Sequence, residues 1–505
     1  MNQDEFMKLQ NGSDIRGVAL AEQNGPAPNL TPPTAAAIGA AFAAHLAARL
    51  KAPAADLTIA VGRDPRLSGP ALTAAIADGL AAMGCRVLDC GLASTPAMFM
   101  ATLFPETDCD GAVMITASHL PGNRNGCKFF DRSGGLQKED ITAILRAAWQ
   151  RLQTNPDAAA PHAADRIEAG ALMPLYERHL RQLIIAGVGR GEQPLAGMKI
   201  TVDAGNGSGG FFAEHVLRPL GADTGSSQFL EPDGRFPNHV PNPEDADAMA
   251  SVSGRVRDSG ADLGLIFDTD VDRSAAVDQS GQAISRNSIV ALAASLVAAD
   301  HPGTTVVTDS ITSDHLTAYL EQTLGLRHFR YRRGYRNVIN KALELNAAGE
   351  ECWLAIETSG HAAMKENYFL DDGAYLAARI VIKAAQLAAE GRGIDSALRG
   401  LRQPLESTEI RMPLTGADAA ADGGRLLEEF SCWAAERGLT IVEPSFEGVR
   451  LSFPHGWCLL RRSLHDPIMP LNIESDEEGG VDRIILLLRE FFDRCSNLDT
   501  SQLQH

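Results

Sequence analysis

No C-x-x-C pair occurs among the eight cysteines of this 505-residue chain, which lie scattered at Cys85, Cys90, Cys109, Cys127, Cys352, Cys432, Cys458 and Cys495. That spacing excludes a ribbon- or finger-type zinc site and favours free thiols over disulfides. Positive charge is short as well. Lys and Arg number 45 against 64 Asp and Glu, a net charge of −19. So acidic a surface repels phosphate backbones and excludes nucleic acid as the main partner. An anionic ligand must then meet a local cluster of basic residues. Long apolar runs are also missing. The most apolar early stretch, 35–50, carries His45 and Arg49 and falls short of the roughly 20 residues that span a bilayer. The opening MNQDEFMKLQ has no basic region followed by an apolar core. The reading is a cytoplasmic chain with no secretory signal and no membrane partner.

What is present is ordinary for a folded protein, 45% hydrophobic and 22% charged. A single core rarely exceeds about 250–300 residues, so the chain must divide, into three or four domains at roughly 150 residues each. Short β-rich runs alternate with longer helical ones, the pattern of α/β units. Strands expected at 57–61, 198–202 and 304–308 each end in a loop of small polar residues ahead of a helix: GRDPRLSG, DAGNGSGG and DSITSD. Such loops cap helices. The repetition predicts three related α/β domains. A strand–turn–strand over 448–460 and a helix over 481–494 predict a smaller C-terminal α+β domain. Breaks are expected in the Ala- and Pro-rich 154–164, after the turn at 278–281 and near Pro404. The resulting domains are 1–158, 159–282, 283–403 and 404–505.

Several segments carry chemistry. The buried-strand pattern at 112–115 runs into Thr116, Ala117, Ser118 and His119. A hydroxyl on a rigid edge beside an imidazole is a candidate nucleophile, with a capping serine as the plain structural alternative. It is not the hydrolase elbow, because Thr116 and Leu120 stand where glycines belong. Lys128, beyond the turn at 123–126, can return towards Ser118. The apolar strand 263–267 leads into Asp268, Asp270 and Asp272, then Arg273. Three carboxylates at i, i+2 and i+4 converge on a hard, oxygen-liking cation such as Mg²⁺. Arg273 and Gln279 at loop positions 6 and 12 exclude an EF-hand. Glu357, Ser359 and His361 place a carboxylate, a hydroxyl and an imidazole on one turn, suited to polyol recognition and proton transfer. The 461–467 segment RRSLHDP offers Arg461 and Ser463 as phosphate donors. Five arginines within 327–336, interleaved with aromatics, read as a contact for a small anion rather than RNA.

In this order these segments resemble the α-D-phosphohexomutase superfamily, most closely its phosphomannomutase/phosphoglucomutase branch. Ser13 to Gly17 (SDIRG) is similar to that family's Y-D-I-R-G, 62–66 to its G-R-D-x-R, and 116–121 to its phosphoserine loop T-A-S-H-N-P. The metal loop D-x-D-x-D-R, the sugar loop E-x-S-G-H and the phosphate loop R-x-S-x-x-x-P follow at 268–273, 357–361 and 461–467. The resemblance implies four domains around a cleft and a mutase interconverting hexose 1- and 6-phosphates of mannose or glucose. A hexose 1,6-bisphosphate would serve as intermediate and activator. Mg²⁺ would be held by Asp268, Asp270, Asp272 and an oxygen of phosphorylated Ser118. Arg16, Lys128 and Arg273 would neutralise the moving phosphoryl group. His361 and Lys128 would move protons, with His119 as a further phosphate contact. Glu357 and Ser359 would hold sugar hydroxyls, and Arg461 and Ser463 the phosphate that does not move. The chain departs from the pattern at Ser13, Leu120, Arg462, Leu464 and His465. Alternatives are a phosphoglucosamine mutase, a silent sugar-phosphate-binding protein, and a dehalogenase-type phosphatase with Asp268 as nucleophile. Neither the preferred sugar nor the oligomeric state is legible.

Overall fold

The computed structural model describes residues 2–504 except 24, 155–163, 417 and 464–465. The chain forms two compact units, residues 1–296 with 359–397 and residues 297–358 with 398–505. In the first unit a mixed sheet runs in the order Gln10–Asn11, Asp14–Val18, Arg124–Asp131, Gly111–Ile115, Thr58–Arg63, Arg86–Leu92, Ile167–Ala169, with Gly134–Gly135 beside Arg124–Asp131. Thr58–Arg63 pairs in parallel with both Arg86–Leu92 and Gly111–Ile115, the register that strand–helix–strand alternation demands. Arg124–Asp131 runs antiparallel and sets Lys128 opposite Met114. Ile38, Phe42, Ile76, Val113 and Phe129 belong to the core beneath. Helices Pro32–Leu50 and Gly69–Ala82 approach backbone to backbone. A Cβ on Gly39 would stand 2.5 Å from the Ile76 carbonyl oxygen, and one on Gly79 2.1 Å from that of Ala36.

A second sheet in this unit runs Ala283–Ile284, Ser274–Asp278, Leu263–Phe267, Ile200–Asp203. Leu263–Phe267 is parallel to Ile200–Asp203 and antiparallel to Ser274–Asp278. Helix Ala246–Ser259, capped by Asp245, packs Val252 and Val256 against it. In the second unit Thr305–Thr308 lies between Arg327–Arg330 and Cys352–Ile356, all parallel. A five-stranded antiparallel sheet of that unit runs Glu406–Pro413, Ile468–Ser475, Gly456–Arg461, Gly448–Phe453, Thr440–Ile441. Phe430, Leu488 and Phe492 of its two helices fill the core against it. The architecture is the expected one of three α/β domains and a further C-terminal domain.

Three details differ from expectation. Ile167–Ala169 pairs with Val87–Asp89, so the first sheet draws in residues past 158. The linker reading of 154–164 falls largely on 155–163, outside the described residues. Ala283–Ile284 pairs with Ala276–Val277, so the turn at 278–281 joins two strands of one sheet. Asp278 closes it by accepting the backbone N–H of Ser280 and Gln282 at 2.8 and 2.9 Å, and such chemistry serves hairpins and linkers alike. The helix after 203–210 is a π-helical turn, Phe212–Leu217, followed by the 3₁₀ turn Arg218–Leu220. No helix among the described residues is long and apolar enough to cross a membrane. The eight cysteines are thiols, six of them buried, and burial pushes the Cys85 thiol up to about 11, which leaves it unreactive.

Candidate active site

Strand Gly111–Ile115 is buried throughout and delivers Thr116 and Ser118 to the edge of the first sheet. Ser118 takes the left-handed conformation, φ 50°, uncommon for a residue with a Cβ. Its N–H donates to Thr116 Oγ1 at 2.9 Å. Its hydroxyl donates to Asp268 Oδ2 at 3.0 Å and accepts from Arg273 Nη2 at 2.7 Å. Partners 150 residues apart in sequence therefore meet on one oxygen.

The carboxylate loop is as buried as the strand before it. Asp268, Asp270 and Asp272 have no exposed surface, and one oxygen of each lies within 4.8 Å of the others. Val271, at φ 68°, makes the turn between them. Arg273 Nε donates to Asp268 at 3.1 Å, and its Nη1 to Asn242 Oδ1 at 3.2 Å. Lys128 Nζ stands 3.3 Å from Asp270 and bonds Asp272 directly. The Thr95 hydroxyl donates to Asp270. Burial and then the Asp272 charge push the Asp268 carboxyl well up. Burial opposes the Asp272 charge too, but Lys128, His361 and Arg273 outweigh it and hold that carboxyl far below the usual range. Asp270 Oδ1 and Asp272 Oδ1 are buried without a hydrogen-bond partner among the described residues. Buried oxygens left so are rare, and a set of all-oxygen donors fits a hard divalent cation.

Around this centre the first unit gathers most of the residues read from the sequence. Arg16 donates to the Thr116 carbonyl and to Asp14, each at 2.8 Å. His119 Nδ1 accepts from Arg273 Nη2 at 2.6 Å and lies 3.3 Å from Ser118 Oγ. Burial of that nitrogen, with the Arg273 and Arg16 charges, pushes the imidazole down to about 3. His361 Nδ1 lies 2.5 Å from Asp371 Oδ2 and 3.8 Å from Asp272. Burial alone would lower this histidine, but Asp371 and Asp272 prevail and raise it to about 9. The Ser359 hydroxyl is buried with no partner among the described residues.

The remaining candidates belong to the second unit. Glu357 follows strand Cys352–Ile356 and accepts from the Gly334 N–H at 2.6 Å. Arg461 ends strand Gly456–Arg461, 4% exposed, with Nη2 3.5 Å from Glu409. Ser463 donates its N–H to Ile468 at 3.1 Å and its Oγ accepts from the Asp466 N–H at 3.2 Å. Leu464 and His465 lie outside the described residues. The arginine-rich run is largely paired within its own unit. Arg327 lies 3.8 Å from Glu350, Arg330 donates to Asp314 at 2.7 Å, and Arg333 lies 3.6 Å from Asp309.

Sequence reasoning assigned no role to Arg66, Asp64, Thr95 or Asp371. Arg66 is fully buried, and four loop carbonyls from Ser118 to Arg124 accept from its guanidinium. Asp64 backs it at 3.2 Å. Burial opposes both charges, raising Asp64 to about 6 and lowering Arg66. The G-R-D-x-R pattern was the available signal for this pair. Thr95, at the start of a short helix, and Asp371, in a two-residue strand, carry no local signature.

Family profiles described as phosphoglucomutase/phosphomannomutase alpha/beta/alpha domains I, II and III match residues 7–155, 176–281 and 285–402. The chain is 31% identical over 475 residues to a phosphomannomutase/phosphoglucomutase of Pseudomonas putida, covering 93% of this chain and 92% of that protein. It is 30% identical over 489 residues to a phosphoglucosamine mutase of Corynebacterium jeikeium, covering 94% and 97%. A crystal structure of a phosphoglucomutase/phosphomannomutase family protein from Burkholderia thailandensis superposes with a TM-score of 0.76 at 26% identity, over 99% of both chains.

Proposed function

The chain belongs to the phosphoglucomutase/phosphomannomutase family and is an isomerase of hexose phosphates, and we propose that it works through a phosphoserine at Ser118. The observation that carries this reading is the Ser118 hydroxyl itself, bonded to Asp268 and Arg273 beside two further buried carboxylates. The phosphoryl group passes from Ser118 Oγ to the free hydroxyl of a hexose 1- or 6-phosphate. The bond from phosphorus to the sugar oxygen forms as the bond to Oγ breaks. The resulting 1,6-bisphosphate turns over, and its other phosphoryl group returns to Ser118. The same bisphosphate primes unphosphorylated enzyme.

The residues divide this work. Asp268, Asp270, Asp272 and a phosphoserine oxygen would hold Mg²⁺, which supplies Lewis-acid neutralisation of phosphoryl charge. Arg273, already on Oγ, holds charge there, with Arg16 and Lys128 as the other cations. His361, oriented by Asp371, and Lys128 are the candidates to take and return the hydroxyl proton. His119, which accepts from Arg273, is assigned as a further phosphate contact. Glu357 and Ser359 are assigned to sugar hydroxyls, Arg461 and Ser463 to the stationary phosphate. We assign domains at 1–158, 159–282, 283–403 and 404–505.

The phosphoglucosamine mutase relative supports a second reading of the sugar. Assays on the 1-phosphates of mannose, glucose and glucosamine, each primed with its 1,6-bisphosphate, rank the three. Ser118→Ala is expected to lower turnover by at least about 10³-fold, and excess EDTA to abolish it until Mg²⁺ is restored. Intact-mass analysis should find one phosphate on wild type, mapped to Ser118. Retained turnover in the alanine variant would remove the serine from the mechanism, and a phosphoaspartate at Asp268 would favour the phosphatase reading.

A further inference from the structure

Arg66 spends four of its five guanidinium donors on one short stretch of chain and the fifth on Asp64. Nη2 donates to the Ser118 and Leu120 carbonyls at 2.5 and 2.6 Å, and Nη1 to those of Pro121 and Arg124 at 2.7 and 3.0 Å. Nε takes Asp64 at 3.2 Å. The bond to the Ser118 carbonyl fixes the peptide plane that follows a left-handed residue, φ 50°. Such a backbone is disfavoured and persists only where its surroundings over-determine it. The guanidinium lies over the Phe236 ring, 5.3 Å from its centroid. Gly234 permits that approach, because a Cβ there would stand 2.3 Å from the Pro65 carbonyl oxygen and 2.7 Å from Arg66 Cα. The same segment continues to Asn242, which accepts from Arg273, and Arg273 donates to Ser118 Oγ. One stretch, 234–242, thus braces the serine twice: its peptide through Phe236 and Arg66, its hydroxyl through Asn242 and Arg273.

We propose that Arg66 is a positioning residue for phosphoryl transfer, holding the Ser118 peptide so that Oγ keeps facing Asp268 and Arg273 in every state of the cycle. This rests on Ser118 as phosphoryl carrier. The loop must return to one geometry whether Oγ bears a phosphoryl group or a proton, and a rigid fork across four carbonyls supplies that without touching the substrate. A loosened loop has a second consequence. Water can attack the phosphoserine: its oxygen bonds to phosphorus, the bond to Oγ breaks, Oγ takes a proton and inorganic phosphate leaves.

Arg66→Lys keeps the charge and loses the fork, while Phe236→Leu leaves every polar contact in place and removes the covering ring. In the folded variants kcat on glucose 1-phosphate should fall, by about 10- to 100-fold for Arg66→Lys and by less for Phe236→Leu. KM should stay within about twofold, as expected when transition-state geometry rather than substrate binding is lost. The half-life of the phosphoserine, followed by intact mass after substrate is removed, should shorten in parallel. Should Arg66→Lys fail to fold, Phe236→Leu decides alone. Wild-type kcat and phosphoserine half-life in a folded variant overturn the proposal, as does a fall in activity that only tracks the folded fraction. A wild type with no phosphate on Ser118 and an active Ser118→Ala would overturn the serine reading itself, and the Arg66 role with it.

Discussion

A single hydroxyl, Ser118 Oγ, collects an aspartate and an arginine 150 and 155 residues away in sequence, and each neighbour is in turn held by another. Thr95 shows how far this goes. Its hydroxyl donates to Asp270 and its N–H to the Asp270 carbonyl at 2.8 Å, which aims the other carboxylate oxygen at the centre of the cluster. Partners of this kind, one step removed from a metal, are worth about 10- to 100-fold in metal affinity. Thr95→Val, nearly the same size, should therefore raise the Mg²⁺ concentration for half-maximal activity by about that factor, read from metal titration of the chelated enzyme. An unchanged midpoint would show that Asp270 needs no such support. The sequence marks Asp270 by its spacing. Nothing near Thr95 marks its role, because the contact spans 175 residues.

Among the elements, helix Gly373–Ala389 follows directly on the segment that carries His361, and its N-cap sets how that segment is anchored. Asp372 accepts from the Tyr375 N–H at 2.8 Å, from Asn367 at 3.0 Å and from the Tyr176 hydroxyl of helix Leu172–Val188 at 2.6 Å. Burial still raises its carboxyl to about 6, against these bonds. A carboxyl raised on folding favours the folded state when protonated. Its contribution is present below about pH 4 and is lost as pH rises through about 6. Asp372→Asn cannot ionise and can still cap. Relative to wild type, the variant should therefore gain stability between pH 4.5 and pH 7.5, by up to about 2 kcal/mol. Melting temperatures of the pair across that range test it, and a constant difference would mean the carboxyl does not titrate on folding. Elements themselves were largely legible. The expected strand at 263–267 is the observed Leu263–Phe267, and the helix expected at 481–494 is Gly480–Phe492. The 3.6- and 2-residue periods are local, but a turn such as that of Asp278 reads the same whether or not the sheet continues beyond it.

For the whole molecule the acidic balance of −19 and the paired arginines of 327–336 point one way. Arg327, Arg330 and Arg333 already face Glu350, Asp314 and Asp309, so few cations remain to displace counterions from a phosphate backbone. The protein should not retain a single-stranded RNA in a mobility-shift assay at about 0.15 M salt, and retention there would return the arginine run to nucleic acid. Hydropathy alternation, turn residues and the ordered motifs T-A-S-H, D-x-D-x-D-R and E-x-S-G-H determined the α/β class and the family and marked the candidate reacting groups, because each is written within a few consecutive residues. Tertiary structure decided what those groups experience. It placed Ser118 in a left-handed backbone held by Arg66, gave His361 the Asp371 carboxylate, and set His119 against Arg273. The reason is burial: a charge taken out of water must find partners wherever the fold brings them, and those partners lie tens to hundreds of residues away, beyond the reach of any local pattern.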